Sequence, residues 1–207
     1  MSRSQIESYR RDGGLFLTLR VGSGPLDPGF LDQVDNAVEQ ADLDSTVICV
    51  MIRIIQSLEV PNPRVPGDFP GDVIADRVRL DASIQAARRI PKLLVLRLDS
   101  SLSGEAIGLL ALADIVLATN DIVLRPRSIS AALLGMVPVL ERTPGTVRQT
   151  LSCMVECRDL DAHAARFHGL VTDVLPPERL EPVVDSLLRG IADAGPTAVA
   201  LLKAAAR

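Results

Sequence analysis

Residues 100–118 read SSLSGEAIGLLALADIVLA, a turn of serines and glycine that follows the apolar run KLLVLRL at 92–98 and opens a second, longer apolar segment. Continuous apolar runs bounded by turn residues are the mark of strands and helices buried on both sides, so the turn joins a buried strand to a helix packed on the sheet. Such a turn presents unpaired backbone N–H groups at the carboxyl edge of the sheet, where ligands of open α/β folds bind. Within SSLSGE only Gly104 lacks a Cβ, and there a ligand carbonyl has room to lie against bare backbone. That is the geometry of an oxyanion hole in principle, weighed against a plain strand-to-helix connection.

Outward from this turn the pattern alternates. Toward the N-terminus, GGLFLTLRV (13–21) and STVICVMIRI (45–54) read as strands, and PGFLDQVDNAVEQAD (28–42) places Phe30, Val34, Ala37, Val38 and Ala41 on one helical face. DRVRLDASIQAARRI (76–90) puts Val78, Ile84 and Ala87 on a helical period and stops at Pro91. Toward the C-terminus, DIVLAT (114–119), DIVLRP (121–126) and LVTDVLP (170–176) read as short strands. Helices are expected over GTVRQTLSCMVEC (145–157), DLDAHAARFHGLV up to Gly169, PERLEPVVDSLLRGIADAG (177–195) and TAVALLKAAAR (197–207). Strands alternating with helices require a mainly parallel sheet, because adjacent parallel strands cannot be joined by a tight turn. The fold class is α/β, with a core over residues 1–150 and a helical region over 151–207 of the same domain. VPNPRVPGDFPGD (60–72), with four prolines and two glycines, is a long irregular connection. The small, apolar final helix is expected to dock on its own core or on a second subunit.

Composition removes several function classes. The chain has 207 residues, 47% of them apolar, and a net charge of −4, enough for one buried core and without the basic stripe that nucleic acid requires. No apolar run reaches the ~18 residues of a membrane span, and the polar start MSRSQIESYRRDGG lacks the core of a signal peptide, so a cytoplasmic protein is expected. Cys49, Cys153 and Cys157 cannot all pair, and the i,i+4 spacing of the last two comes without the partners of a zinc site; buried thiols and no metal are expected. Ser101 or Ser103 as a peptidase nucleophile lacks a base, since no histidine precedes His163. His163 and His168, five apart in one helical segment, are expected on the helix surface or at its end.

The second half resembles the crotonase (enoyl-CoA hydratase/isomerase) superfamily. The resemblance rests on IPKLLVLRLDSSLSGEAIGLLALADIVLA, on LLGMVP followed by GTVRQTL, on LDAHAARFHGLVTDVLPPERLEPVVDSLLRGIA and on GPTAVALLKAA; more loosely, FPGDV stands where the family has its first oxyanion loop. It implies the ClpP/crotonase α/β fold of repeated strand–helix turns and a homotrimer or hexamer. It also implies an acyl thioester substrate, on CoA or a carrier protein, with no further cofactor. Two backbone N–H groups would hold the thioester oxygen, one at Gly71, beside Asp72, and one at Gly104 or Glu105. Two preorganised donors of this kind lower the barrier to an enolate by several kcal/mol.

The departures bear on the chemistry. The first glutamate of the hydratases falls on Gly108, and the second site, RPRSISAALLG, has no carboxylate between Asp121 and Glu141. Adding water needs one group to activate it and another to deliver a proton, so a plain hydratase is poorly supported. Glu141 is the leading acid/base candidate, weighed against a loop glutamate paired with Arg142. Glu105 is the second, weighed against a first-turn acid suited to the helix dipole. Asp72 reads as a turn former. Arg125 and Arg127, and the pair Arg88 and Arg89, are candidates for thioester-arm phosphates. Two functions follow: a lyase or isomerase on an acyl thioester, or a degenerate accessory subunit that binds a thioester or a partner enzyme, of the kind met in secondary-metabolite pathways.

Overall fold

The structure is a computed structural model, and it describes residues 5–22, 26, 28–56, 73–127, 152–153 and 156–205. Its strands form a six-stranded sheet of β1 (Gln5–Arg11), β2 (Gly14–Val21), β3 (Cys49–Gln56), β4 (Leu93–Leu98), β6 (Ile115–Thr119) and β9 (Asp173–Leu175), side by side in that order. A second sheet holds β5 (Leu102–Ser103), β7 (Val123–Arg125) and β8 (Leu160–Asp161). From β2 to β9 the large sheet is parallel. Its crossovers are α1 (Pro28–Leu43) between β2 and β3 and α2 (Val73–Arg89) between β3 and β4. Farther on, α3 (Ala162–Phe167) and α4 (Pro177–Ala205) close the described chain.

Side chains of the strands alternate between two cores. Leu15, Leu17, Leu19, Ile52, Ile54, Leu94 and Leu96 pack with Phe30, Val34, Val38 and Ala41 of α1 and Leu80, Ile84 and Ala87 of α2. On the opposite face Phe16, Met51, Val95 and Leu117 pack with Leu180, Val184, Leu188 and Ile191 of α4. Burial on both faces is why these strands read as unbroken apolar runs. In α2 the expected period is shifted: Val78 is 64% exposed, and Leu80 heads the buried stripe with Ile84 and Ala87. The charged ring of Arg77, Arg79 and Asp81 around Val78 concealed that choice.

β1 is a strand that the polar N-terminus does not advertise. Its side chains are mostly exposed, and it joins β2 antiparallel through a turn in which Asp12 (φ 50°) and Gly13 (φ 75°) are both left-handed. That pair is the two-residue hairpin geometry, and Asp-Gly is its sequence signal. Tyr9 stacks on Phe16 at 4.8 Å between ring centroids, covering the edge of the second core. The helix GTVRQTLSCMVEC lies largely outside the described residues, as does the connection 60–72.

Two lysines anchor helix ends. Nζ of Lys92, at the entrance to β4, donates to the carbonyls of Ala41 and Asp44 (2.6 Å to the latter) just where α1 ends. Nζ of Lys203, in the last turns of α4, donates to the Ala87 carbonyl of α2 at 3.3 Å. A cation there satisfies orphaned carbonyls and complements the helix dipole, and α1 has no basic residue in its own last turn.

Candidate functional site

The serine-rich turn lies where the two sheets part. The chain leaves the large sheet at Leu98, crosses to β5 and then turns at Gly104, whose φ of 62° is left-handed. Each serine before it is used. Ser100 Oγ donates to the Ile54 carbonyl at 3.1 Å, Ser101 Oγ accepts from the Val123 N–H at 2.9 Å, and Ser103 Oγ donates to Gln56 Oε1 at 3.2 Å. Both candidate nucleophiles thus serve as scaffold.

Gln56, the last residue of β3 and 5% exposed, is the hub of this turn. Its Oε1 accepts the Ser103 N–H at 2.6 Å, and its Nε2 donates to the Ser103 carbonyl at 3.1 Å and to the Gly22 carbonyl at 3.2 Å. A side-chain amide here stands in for a neighbouring strand, pairing with both backbone groups of one residue. Sequence reading missed Gln56; the available signal was a single amide ending the apolar strand CVMIRIIQ.

From Gly104 to Leu112 the chain is a 3-10 helix, where a helix was expected without its type, and Ala106 to Leu112 are buried along its whole circumference. Gly108 is among them, so the position that the resemblance assigns to the first glutamate is buried and carries no side chain. Glu105, half-buried, has its Oε2 2.9 Å from the Leu26 N–H, which it accepts. That bond ties the connection after β2 to the turn. The carboxylate therefore has a structural duty beyond its favourable place in the first turn.

Strand register sets Arg125 beside Ser103 across β5 and β7, next to the turn. Its Nε lies 3.3 Å from Asp159 Oδ2, so the guanidinium already has an anionic partner. Arg127 is exposed, with a left-handed φ of 67°. Arg88 and Arg89 end α2, which returns to the amino edge of the sheet, so topology separates them from the turn at the carboxyl edge. Gly71, Asp72, Glu141 and Arg142 lie outside the described residues.

The histidines belong to α3 and its C-terminal end. His163 is exposed on α3, whose first turn is capped by Asp161 accepting the Ala164 N–H at 2.7 Å. His168 is the C-cap of α3, 7% exposed, with Nε2 3.7 Å from Cys153 Sγ, and Gly169 (φ 73°) ends the helix as expected. Burial, reinforced by the Arg158 charge, lowers the His168 pKa from its ordinary value. Cys49 and Cys153 are buried and Cys157 half-buried, and burial pushes the Cys49 thiol up to about 11. Among the described residues no cluster of His, Cys, Asp and Glu could hold a metal ion, and no helix is long and apolar enough to cross a membrane.

No family model matches the chain. Among curated proteins it is 25% identical over 198 residues, 87% of this chain and 73% of the other, to the trans-2-decenoyl-[acyl-carrier-protein] isomerase of Streptococcus mutans. Among solved structures it superposes on an enoyl-CoA hydratase of Mycobacterium smegmatis with a TM-score of 0.73 at 19% identity, covering 96% of this chain and 80% of that one. It superposes on human enoyl coenzyme A hydratase domain-containing protein 3 with a TM-score of 0.76 at 15% identity, covering 96% and 81%. At such identities a shared backbone over nearly the whole chain is a statement about fold. The chain therefore has the fold of the enoyl-CoA hydratase/isomerase (crotonase) proteins, in a divergent form.

Proposed function

We propose that the protein acts on an acyl thioester, borne by coenzyme A or by a carrier protein, and moves a proton through an enolate held by backbone N–H groups. The observation that carries this reading is the Gly104 turn at the carboxyl edge of a crotonase-fold sheet, with its preceding residue clasped on both backbone groups by buried Gln56. The N–H groups of Gly71 and of Gly104 or Glu105 are the two donors. Loss of one such donor costs about 3 to 4 kcal/mol of transition-state stabilisation in enzymes of this logic.

The acid/base inventory favours isomerisation over hydration. Moving a double bond needs one carboxylate: it takes a proton from Cγ, the thioester oxygen carries the charge of the dienolate, and the same group returns the proton to Cα. Hydration needs two groups, and the positions that the resemblance assigns to them, Gly108 and the stretch 122–140, hold no carboxylate. Similarity to an isomerase of acyl-carrier-protein thioesters points the same way. Glu141 is the proposed proton shuttle. The Glu105 carboxylate is the second candidate and would first have to release the Leu26 N–H. Arg125, set beside Ser103 by strand register, and Arg127, two residues farther on, are proposed to meet the phosphates of the thioester arm. We place the protein in the cytoplasm as a homo-oligomer.

Titration calorimetry with acetyl-CoA and crotonyl-CoA, combined with mass spectrometry of solvent deuterium entering the α-carbon, tests the reading. Binding with exchange is expected, and Glu141→Gln should abolish exchange while binding survives. Unchanged exchange removes Glu141 from the mechanism. The acid-free interior of the 3-10 helix favours a second reading, an accessory subunit without chemistry of its own. That reading predicts no exchange on any thioester and a faster partner enzyme when the two are mixed.

A further inference from the structure

We infer that Gln56 is the positioning residue that aims the backbone donor of the glycine turn. A peptide unit is planar and trans, so the carbonyl of one residue and the N–H of the next point in opposite directions. The carbonyl of Ser103 and the N–H of Gly104 belong to one such unit. Holding the carbonyl therefore directs the N–H away from whatever holds it. Gln56 Nε2 holds that carbonyl at 3.1 Å, while Oε1 fixes the preceding peptide through the Ser103 N–H at 2.6 Å.

Three further observations separate this clasp from ordinary packing. Nε2 also donates to the Gly22 carbonyl at 3.2 Å, so the amide is braced on the residue after β2 and cannot turn over without losing its three backbone bonds. Ser103 is extended (φ −138°, ψ 150°), and its hydroxyl is spent on Gln56 rather than on capping the 3-10 helix. Gly104 follows at φ 62°, a conformation in which glycine has other options nearby and needs an external restraint to keep one. A donor preorganised in this way is not reoriented as charge develops on the thioester oxygen, which is where its catalytic value lies.

The inference rests on the thioester reading above, and one experiment separates the two. Infrared difference spectra of carbonyl-labelled crotonyl-CoA bound to the protein report the polarisation of the thioester, and deuterium exchange gives kcat and KM. Two variants dissect the clasp. Gln56→Glu keeps the acceptor for the Ser103 N–H but loses the donor to the Ser103 carbonyl, and Gln56→Met, similar in length, loses both. With the wild-type protein, the carbonyl band should shift to lower frequency on binding. Both variants should lose most of that shift and about ten- to a hundredfold in kcat, with KM within about threefold.

Folded variants with a wild-type band and kcat overturn the role of Gln56 and leave the thioester reading standing. Full activity in Gln56→Glu with loss only in Gln56→Met overturns the part played by the Ser103 carbonyl. Unfolding of both variants, read by circular dichroism, overturns positioning in favour of a purely structural amide. A wild-type protein that binds crotonyl-CoA without any band shift, or does not bind it, overturns the thioester reading and this inference with it.

Discussion

Lys203 shows how much a single residue can decide. Its side chain is 3% exposed, and its Nζ meets Asp114 Oδ2 at 2.9 Å, the Lys92 carbonyl at 2.8 Å and the Ala87 carbonyl at 3.3 Å. Three donors find three acceptors, which is what a buried ammonium requires to tolerate the loss of water. Asp114 Oδ2 also accepts the Leu94 N–H at 2.9 Å, so the carboxylate belongs to the entrance of β4 as well. Lys203→Met would leave that carboxylate, 16% exposed, without its cation and should cost about 3 kcal/mol in urea unfolding. A loss below about 1 kcal/mol would mean that the end of α4 contributes little to the fold. Nothing local announces this lysine: in TAVALLKAAAR it reads as the polar stripe of a surface helix, and the residues that neutralise it lie 89 to 116 positions away in the chain.

Among the elements, α4 is two arms rather than one. Gly195 sits at φ 77°, ψ 163°, outside both helical and ordinary left-handed space, and Pro196 begins the second arm in the first-turn position that proline tolerates. The first arm buries Leu180, Val184, Leu188 and Ile191 against the sheet, and the second buries Val199 and Lys203. A Cβ built at Gly195 meets nothing within 4 Å, so the backbone alone forbids a side chain there. Gly195→Ala should therefore lower stability by about 2 kcal/mol despite the open space, measured by thermal or urea unfolding. A neutral result would mean that the bend between the arms relaxes freely. The Gly-Pro pair marked this boundary in the sequence, whereas β1 escaped notice because an edge strand with mostly exposed side chains displays no hydrophobic period.

At the scale of the whole molecule, a parallel sheet is covered on one face by α1, α2 and the 3-10 helix and on the other by α4. The second arm of α4 leaves apolar side chains uncovered. Leu201 and Leu202 are 68% and 64% exposed, and a groove of about 620 Å³ lined by Leu93, Val183, Leu187, Ile191 and Leu202 runs between the two arms. An oligomer is the expectation carried by the resemblance to crotonases, and sedimentation should give three or six times the 22.2 kDa of the chain. A monomer at tens of micromolar would contradict it.

Element order was legible because it depends on local patterning. Unbroken apolar runs for two-sided strands, a 3.6-residue period for α1, Pro91 after α2, Gly169 after α3 and Gly195 before Pro196 are each written within a dozen residues. The glycine turn was legible too, since Gly104 marks its own left-handed backbone. Partners were not legible. That Glu105 ties down Leu26, that Arg125 faces Asp159 and that Leu80 rather than Val78 enters the core follow from which surfaces the sheet brings together. Gln56 is the sharpest case: one amide 47 residues before Ser103 orients the peptide on which the candidate site depends. Sequence alone determined the inner strands, the main helices and the turn, because backbone propensity and hydrophobic period are short-range. Tertiary structure decided what each polar side chain does, because a buried donor or acceptor takes its role from the group that desolvation forces it to meet.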